Sequence, residues 1–245
     1  MSERASPVIG ILGGMGPAAT ADFYRKLVLA TPAVRDQEHP RALIWSDPSI
    51  PDRASAYLHG GASPIPGLID GARRLEDSGA DFIAVPCNTA HLYLEPVREQ
   101  VDVPVLDMID ATARALALRH ERSRVALLGT AATVRSGIYR TAFECRGLLS
   151  VEVHAAEQQL VSAAIAAVKA GDVLRAAELL APVLEALERR GADAIVGGCT
   201  ELPLAAEHLM VGSTFVDPST VLAGACLDRV RSLTPDSVLK GPLAS

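Results

Sequence analysis

The feature that most limits what this chain can become is an internal echo centred on two cysteines. Moved along itself by 112 positions, the chain lays Cys87 on Cys199. The same move lays Leu75, Glu76, Gly79, Ala80, Asp81, Ile83 and Leu92 on Leu187, Glu188, Gly191, Ala192, Asp193, Ile195 and Leu204. A shift of 116 lays the opening VIGILGG on RVALLGT. Each half therefore reads as a glycine-ended strand, several strand–helix units, and then a helix, a strand and a cysteine. This predicts an old duplication with two lobes of like build.

Hydrophobic patterning fills in the halves. Short β-rich runs at 7–14, 41–47, 81–85, 103–109, 124–130, 151–156, 192–198 and 213–217 read as strands. Alanine- and leucine-rich stretches at 17–31, 64–79, 110–121, 160–170, 173–190 and 218–230 read as helices. Pro17 suits a first helical turn, Gly79 a helix end, and Asp110 a helix cap. Strand–helix alternation of this kind builds parallel sheets covered by helices. The expected fold is α/β, with two pseudo-symmetric lobes and the active site in the cleft between them. Residues 1–108 with 214–245 are assigned to an N-terminal lobe with a closing helix, and 109–213 to a C-terminal lobe.

Composition excludes several classes. The net charge is −6 and aromatics make up 4% of 245 residues, so neither a basic nucleic-acid surface nor a base-stacking platform is expected. The start, MSERASPVIGILGG, lacks the long apolar region of a signal peptide, and no segment approaches the ~20 apolar residues of a membrane span. A soluble cytoplasmic protein with no membrane partner is the expectation. The four cysteines have no CxxC spacing, which argues against a zinc ribbon or a disulfide scaffold.

Cysteine is ordinarily a small core hydrophobe. Cys87 and Cys199, however, both follow apolar strands, and ligands of α/β sheets bind beyond the carboxyl ends of strands. If the lobes face each other, the two thiols look into one cleft from opposite sides. A helix starting after each cysteine points free N–H groups there, which is expected to lower the thiol pKa and to attract anions. Two acid/base groups on opposite faces of one carbon are what racemisation or epimerisation requires. With each sulfur ~3.5 Å from that carbon, the pair would lie roughly 7 Å apart, too far for a disulfide. Cys145 and Cys226 lie in helical patterns and are assigned to core packing.

The motifs GILGGMGP, RDQEHP, IPDR, PCNTAH, GTAATVRSGIY, VKAGD and GCTEL run in order from residue 9 to about 204. Together they resemble the cofactor-independent aspartate/glutamate racemase superfamily, and within it the aspartate racemases. The resemblance implies an amino-acid racemase acting on a dicarboxylic substrate, with no cofactor, no metal and a homodimeric assembly. It makes Cys87 and Cys199 the catalytic pair. Asn88, Thr89 and Thr200, which read on their own as helix caps, become holders of the substrate α-carboxylate. Thr130 and Thr133 match the equivalent turn of the second lobe. Met15 is placed near the ligand. Arg53 becomes the grip on the side-chain carboxylate, a task that suits a guanidinium fork. Lys169 becomes its second cation. Glu201 stands where glutamate racemases carry histidine, and is expected either to adjust Cys199 or to orient the ammonium group. Asp47 stands where an asparagine is expected, which leaves fine specificity open.

Two features are set aside. Gly13-Gly14-Met15-Gly16 is not G-x-G-x-x-G, so no nucleotide site is expected. His91 lies four residues after Cys87 without further ligands at zinc spacing, and is read as structural. The alternatives that stay open are a superfamily relative acting on glutamate or another carboxylic acid, as isomerase or decarboxylase, and a non-catalytic amino-acid-binding protein.

Overall fold

The computed structural model describes residues 6–119, 123–209 and 214–234. Strand β1 (Val8–Gly13) leads through α1 (Pro17–Ala30) to β2 (Arg41–Ser46), α2 (Arg53–His59), α3 (Ile65–Asp77) and β3 (Phe82–Ala84). A 3₁₀ turn at Thr89–Tyr93, then α4 (Leu94–Arg98) and α5 (Met108–Arg119), complete the first half. The second half is β4 (Arg124–Gly129), α6 (Ala131–Ser136), α7 (Ile138–Glu144), β5 (Leu149–Val151), α8 (Ala155–Lys169), α9 (Val173–Arg189) and β6 (Ala194–Gly198). It ends with α10 (Leu202–Ala206), β7 (Phe215–Val216) and α11 (Pro218–Leu233).

Every strand pairing is parallel, in two separate sheets of order β2-β1-β3 and β5-β4-β6-β7. The expected echo is visible in this wiring. β4 is β1 moved by 116 residues, end for end, and each is the second strand of its sheet. β3 and β6 each lie beside that strand, and each leads into a cysteine.

Both faces of each sheet are covered, as parallel sheets require. Along β1 the side chains alternate. Leu12 meets Leu68, Ala72 and Leu75 of α3, while Ile9 and Ile11 meet Phe23 and Leu27 of α1 and Leu222 of α11. In the second sheet Ala126, Leu128 and Ile195 pack under α8 and α9, and Val125 and Val196 face α5 and α7. α1 and α11 are also tied by charge. Lys26, nearly buried, pairs with Asp22 and lies 2.6 Å from Asp217. Burial opposes its charge, but the two carboxylates win and its pKa is raised.

Several sequence expectations need correction. The run 103–109 is not a strand. Val105 makes a single bridge to Ile83, and the helix already begins at Met108. Pro104 has no N–H to give a ladder, and Asp107 rather than Asp110 takes the cap, accepting from the Asp110 N–H at 2.9 Å. The strand expected at 151–156 ends at Val151, and α8 starts at Ala155, five residues earlier than read. β7 pairs with β6 in the second sheet, and α11 packs against α1 and α5. Cys226 is buried as expected, but Cys145 is exposed at the end of α7. Residues 120 and 121 of the expected helix, Ser213 of the expected strand, and residues 1–5 and 235–245 of the lobe assignment lie outside the described residues.

Candidate active site

The Gly13–Gly16 turn shows why its glycines are there. Gly14 has φ of +90°, and a side chain on it would meet the Asp47 backbone at 2.3 Å. Its N–H donates to the Thr20 hydroxyl at 2.9 Å, whose own proton goes to the Gly16 carbonyl. The turn is thus closed on itself and leans on the loop after β2. Asp47 accepts from Ser49 in that loop and is half-buried, outside the cleft lining.

At the mouth of the two sheets lies a narrow cleft. It is lined by Met15, Asp52, Arg53, Ala54, Cys87, Asn88 and Thr89 of the first half, and Thr130, Lys169, Cys199, Thr200 and Glu201 of the second. Ten of the eleven residues given a catalytic or substrate-binding role from the sequence are on this wall. Thr133 stands behind it, bonded to Thr89 at 2.9 Å and to Thr130 at 3.0 Å. Asp52 and Ala54 are additions. Asp52 caps α2 by accepting from the Ser55 N–H at 2.6 Å, and its position beside Arg53 in IPDR was the available signal. The free space is about 30 Å3, against the ~300–1,000 Å3 usual for ligand clefts. A larger groove of about 360 Å3 runs along β2 and α3, where Arg74 stacks over Trp45. It holds no thiol.

Cys87 and Cys199 are each 6% exposed, one from each half. Burial pushes both thiols up. For Cys87 this is opposed by the Arg53 charge and the Ala90 N–H. For Cys199, Glu201 adds to burial, opposed by its own backbone N–H and by Lys169. The expected N–H groups are therefore present, but their pull is smaller than the cost of an ion without water, and the pKa values rise rather than fall. The Cys199 thiol donates to Glu201 Oε2 at 2.9 Å. The two cysteines are thus set unequally, one facing a guanidinium and the other a carboxylate.

Arg53 is pinned by carbonyls. Nη1 donates to Ile50 and Pro51, and Nη2 to Met15, each at 3.0 Å. Its buried Nε has no partner among the described residues. Of five N–H bonds, three go to carbonyls; the Nε–H and one Nη2–H, on adjacent nitrogens of the kind that grip a carboxylate in parallel, remain, and the guanidinium also bonds toward the Cys87 sulfur. Lys169, the last residue of α8, reaches the same cleft. His91 is structural. Its Nδ1 is 2.9 Å from the Cys87 carbonyl, and Nε2 accepts from the Met108 N–H at 3.0 Å. Burial lowers its pKa, which keeps it neutral and makes Nδ1 the donor. Among the described residues, no cluster of three or more His, Cys, Asp or Glu could hold a metal, and no helix is long and apolar enough to cross a membrane.

Fold and cleft together define a two-lobed α/β racemase with a thiol contributed by each lobe. The chain belongs to the Asp/Glu/hydantoin racemase family, whose model matches residues 12–226. It is similar to aspartate racemase from Picrophilus torridus, at 35% identity and a TM-score of 0.83, covering 92% of this chain and 94% of that one. It is also similar to the broad specificity amino-acid racemase RacX of Bacillus subtilis (strain 168), 33% identical over 221 residues that span 88% of this chain and 95% of the relative. An aspartate racemase homologue from Pyrococcus horikoshii OT3 superposes with a TM-score of 0.73 at 28% identity, covering 91% of this chain and 98% of that one.

Proposed function

We propose that this racemase interconverts L- and D-aspartate without a cofactor, using Cys87 and Cys199 as paired base and acid. One thiolate takes the Cα proton, and the bonding pair passes into the α-carboxylate as an enediolate-like anion. The opposite thiol gives its proton to the other face of Cα and is left as thiolate. Atoms and charge balance, and the two sulfurs have exchanged roles. The observation that carries this reading is a pair of buried thiols, one from each lobe, on the wall of one cleft. Asn88, Thr89, Thr130 and Thr200 offer the α-carboxylate hydrogen bonds that strengthen as charge develops on it. Arg53 and Lys169 supply the positive charge that a second carboxylate needs. A homodimer is the proposed assembly.

The test is chiral chromatography of L-aspartate, L-glutamate and L-alanine incubated with protein stripped by chelator and by a carbonyl reagent. D-aspartate should form fastest, at an undiminished rate. Loss of turnover on stripping, or a clear preference for alanine, would contradict the proposal.

Glu201 acts on the Cys199 thiol. Its negative charge beside Cys199 disfavours a second negative charge, so removing it lowers the pH at which that thiolate forms. In Glu201→Gln, site-resolved iodoacetamide labelling of Cys199 should therefore reach half its maximum at lower pH than in the wild type. Cys87, where Glu201 is a lesser influence, should move less. An unmoved Cys199 profile would mean that the 2.9 Å contact does not govern the thiol.

A further inference from the structure

We propose that Tyr139, a residue outside the cleft lining, is a positioning residue for the substrate α-carboxylate. Its phenol fixes the Asn88 side chain with the amide NH2 turned into the cleft. The inference rests on reading the cleft as a carboxylate site, and it concerns how that site is oriented.

Asn88 is 1% exposed and follows directly on Cys87. An asparagine amide has a donor end and an acceptor end of the same shape, so its direction is decided by its partners. One partner is clear. The Tyr139 hydroxyl is 2.5 Å from Asn88 Oδ1, across 51 positions of sequence and from the other half of the molecule. Tyr139 is fully buried, and burial pushes its ionisation above any working pH, so the phenol carries a proton to donate. It donates to Oδ1. That leaves Asn88 Nδ2 pointing away from the phenol, and this nitrogen has no hydrogen-bond partner among the described residues.

An unmet buried amide donor is costly, and most such groups in folded proteins are satisfied. This one lies in a residue of the cleft wall, next to the catalytic thiol, where an entering carboxylate would accept from it. The competing arrangement reverses the amide. Then Nδ2 would donate to the phenol oxygen, and the phenol proton would go to Thr112, which influences Tyr139 and gives its own proton to the Met108 carbonyl at 2.7 Å. The carbonyl end of Asn88 would then face the cleft and repel a carboxylate. The two arrangements make opposite predictions for ligand binding.

Because Tyr139 sits on α7 and Asn88 beside β3, the bond exists only while the two halves are together. The sequence hides this, since nothing near RSGIY indicates a partner in PCNTAH.

The test has two arms. In the first, L-aspartate affinity, KM and kcat are measured for Tyr139→Phe, Asn88→Ala and the double variant. Phenylalanine keeps the ring, so the fold is kept. Tyr139→Phe should raise Kd and KM about tenfold and lower kcat as well, because the Asn88 bond strengthens as charge develops on the carboxylate. In the Asn88→Ala background the same change should have no further effect, because Tyr139 would have nothing left to aim. Equal losses in both backgrounds would mean that Tyr139 merely packs, and would overturn the proposal. The second arm needs no substrate, and so separates this proposal from the racemase reading. In the wild-type protein, NMR cross-relaxation between the Asn88 side-chain NH2 and the Tyr139 ring protons next to the hydroxyl should be weak. A strong signal there would establish the reversed amide and end the proposal, whatever the enzyme turns over.

Discussion

Serine in place of either Cys87 or Cys199 abolishes racemisation of aspartate, with a loss of at least about 10³-fold, the upper part of the range for a general acid or base. A hydroxyl is too weak an acid and too poor a base near neutral pH to stand in for either sulfur. The two sites are equally indispensable because they face opposite sides of one carbon, and neither can reach the other's side. Sulfur and oxygen differ little in size, so circular dichroism and Tm should show the fold retained. Chiral chromatography measures the loss. A single variant that keeps a tenth of the wild-type rate would leave the other cysteine doing both jobs.

The second large effect belongs to Arg53. Arg53→Ala removes a charge-assisted carboxylate contact of about 2 kcal/mol, which is roughly thirtyfold in affinity. The side chain has a second influence, since its charge opposes the rise in the Cys87 pKa. The variant should therefore lose kcat for every amino acid as well. Comparing kcat/KM for aspartate with that for alanine cancels this shared loss. The ratio should fall by about the same thirtyfold. An unchanged ratio would take Arg53 out of side-chain recognition and leave it as a partner of Cys87 alone.

The lobes, the sheet class and most of the cleft were legible because each rests on local signals that the duplication repeats. The apolar run of β1 recurs in β4, and the helix pattern ahead of Cys87 in α3 recurs ahead of Cys199 in α9. What failed was decided by neighbours distant in sequence, or by competition between like signals. LDMID offers two aspartates three apart, and only the folded chain shows that Asp107 is the cap. Val103 to Ile109 is apolar enough for a strand, but the segment meets β3 only around Val105, where Ile83 N–H donates to the Pro104 carbonyl and its carbonyl accepts from Leu106. The thiols were expected to be acidified by helix N-termini. The N–H groups are there, but the depth of burial, which no spacing reveals, outweighs them. Tyr139 was missed because its partner is 51 residues away.

The central claim is that two sulfurs serve two faces. Deuterium incorporation at Cα in D₂O tests it most directly, followed by NMR with L- and D-aspartate supplied separately to Cys87→Ser and Cys199→Ser. Each variant keeps one thiolate. That thiolate can remove the proton from the enantiomer presenting it and return a deuteron to the same face. Each variant should therefore label one enantiomer without inverting it, and the two variants should choose opposite enantiomers. Full racemisation by either variant, or labelling of the same enantiomer by both, would contradict the two-thiol account.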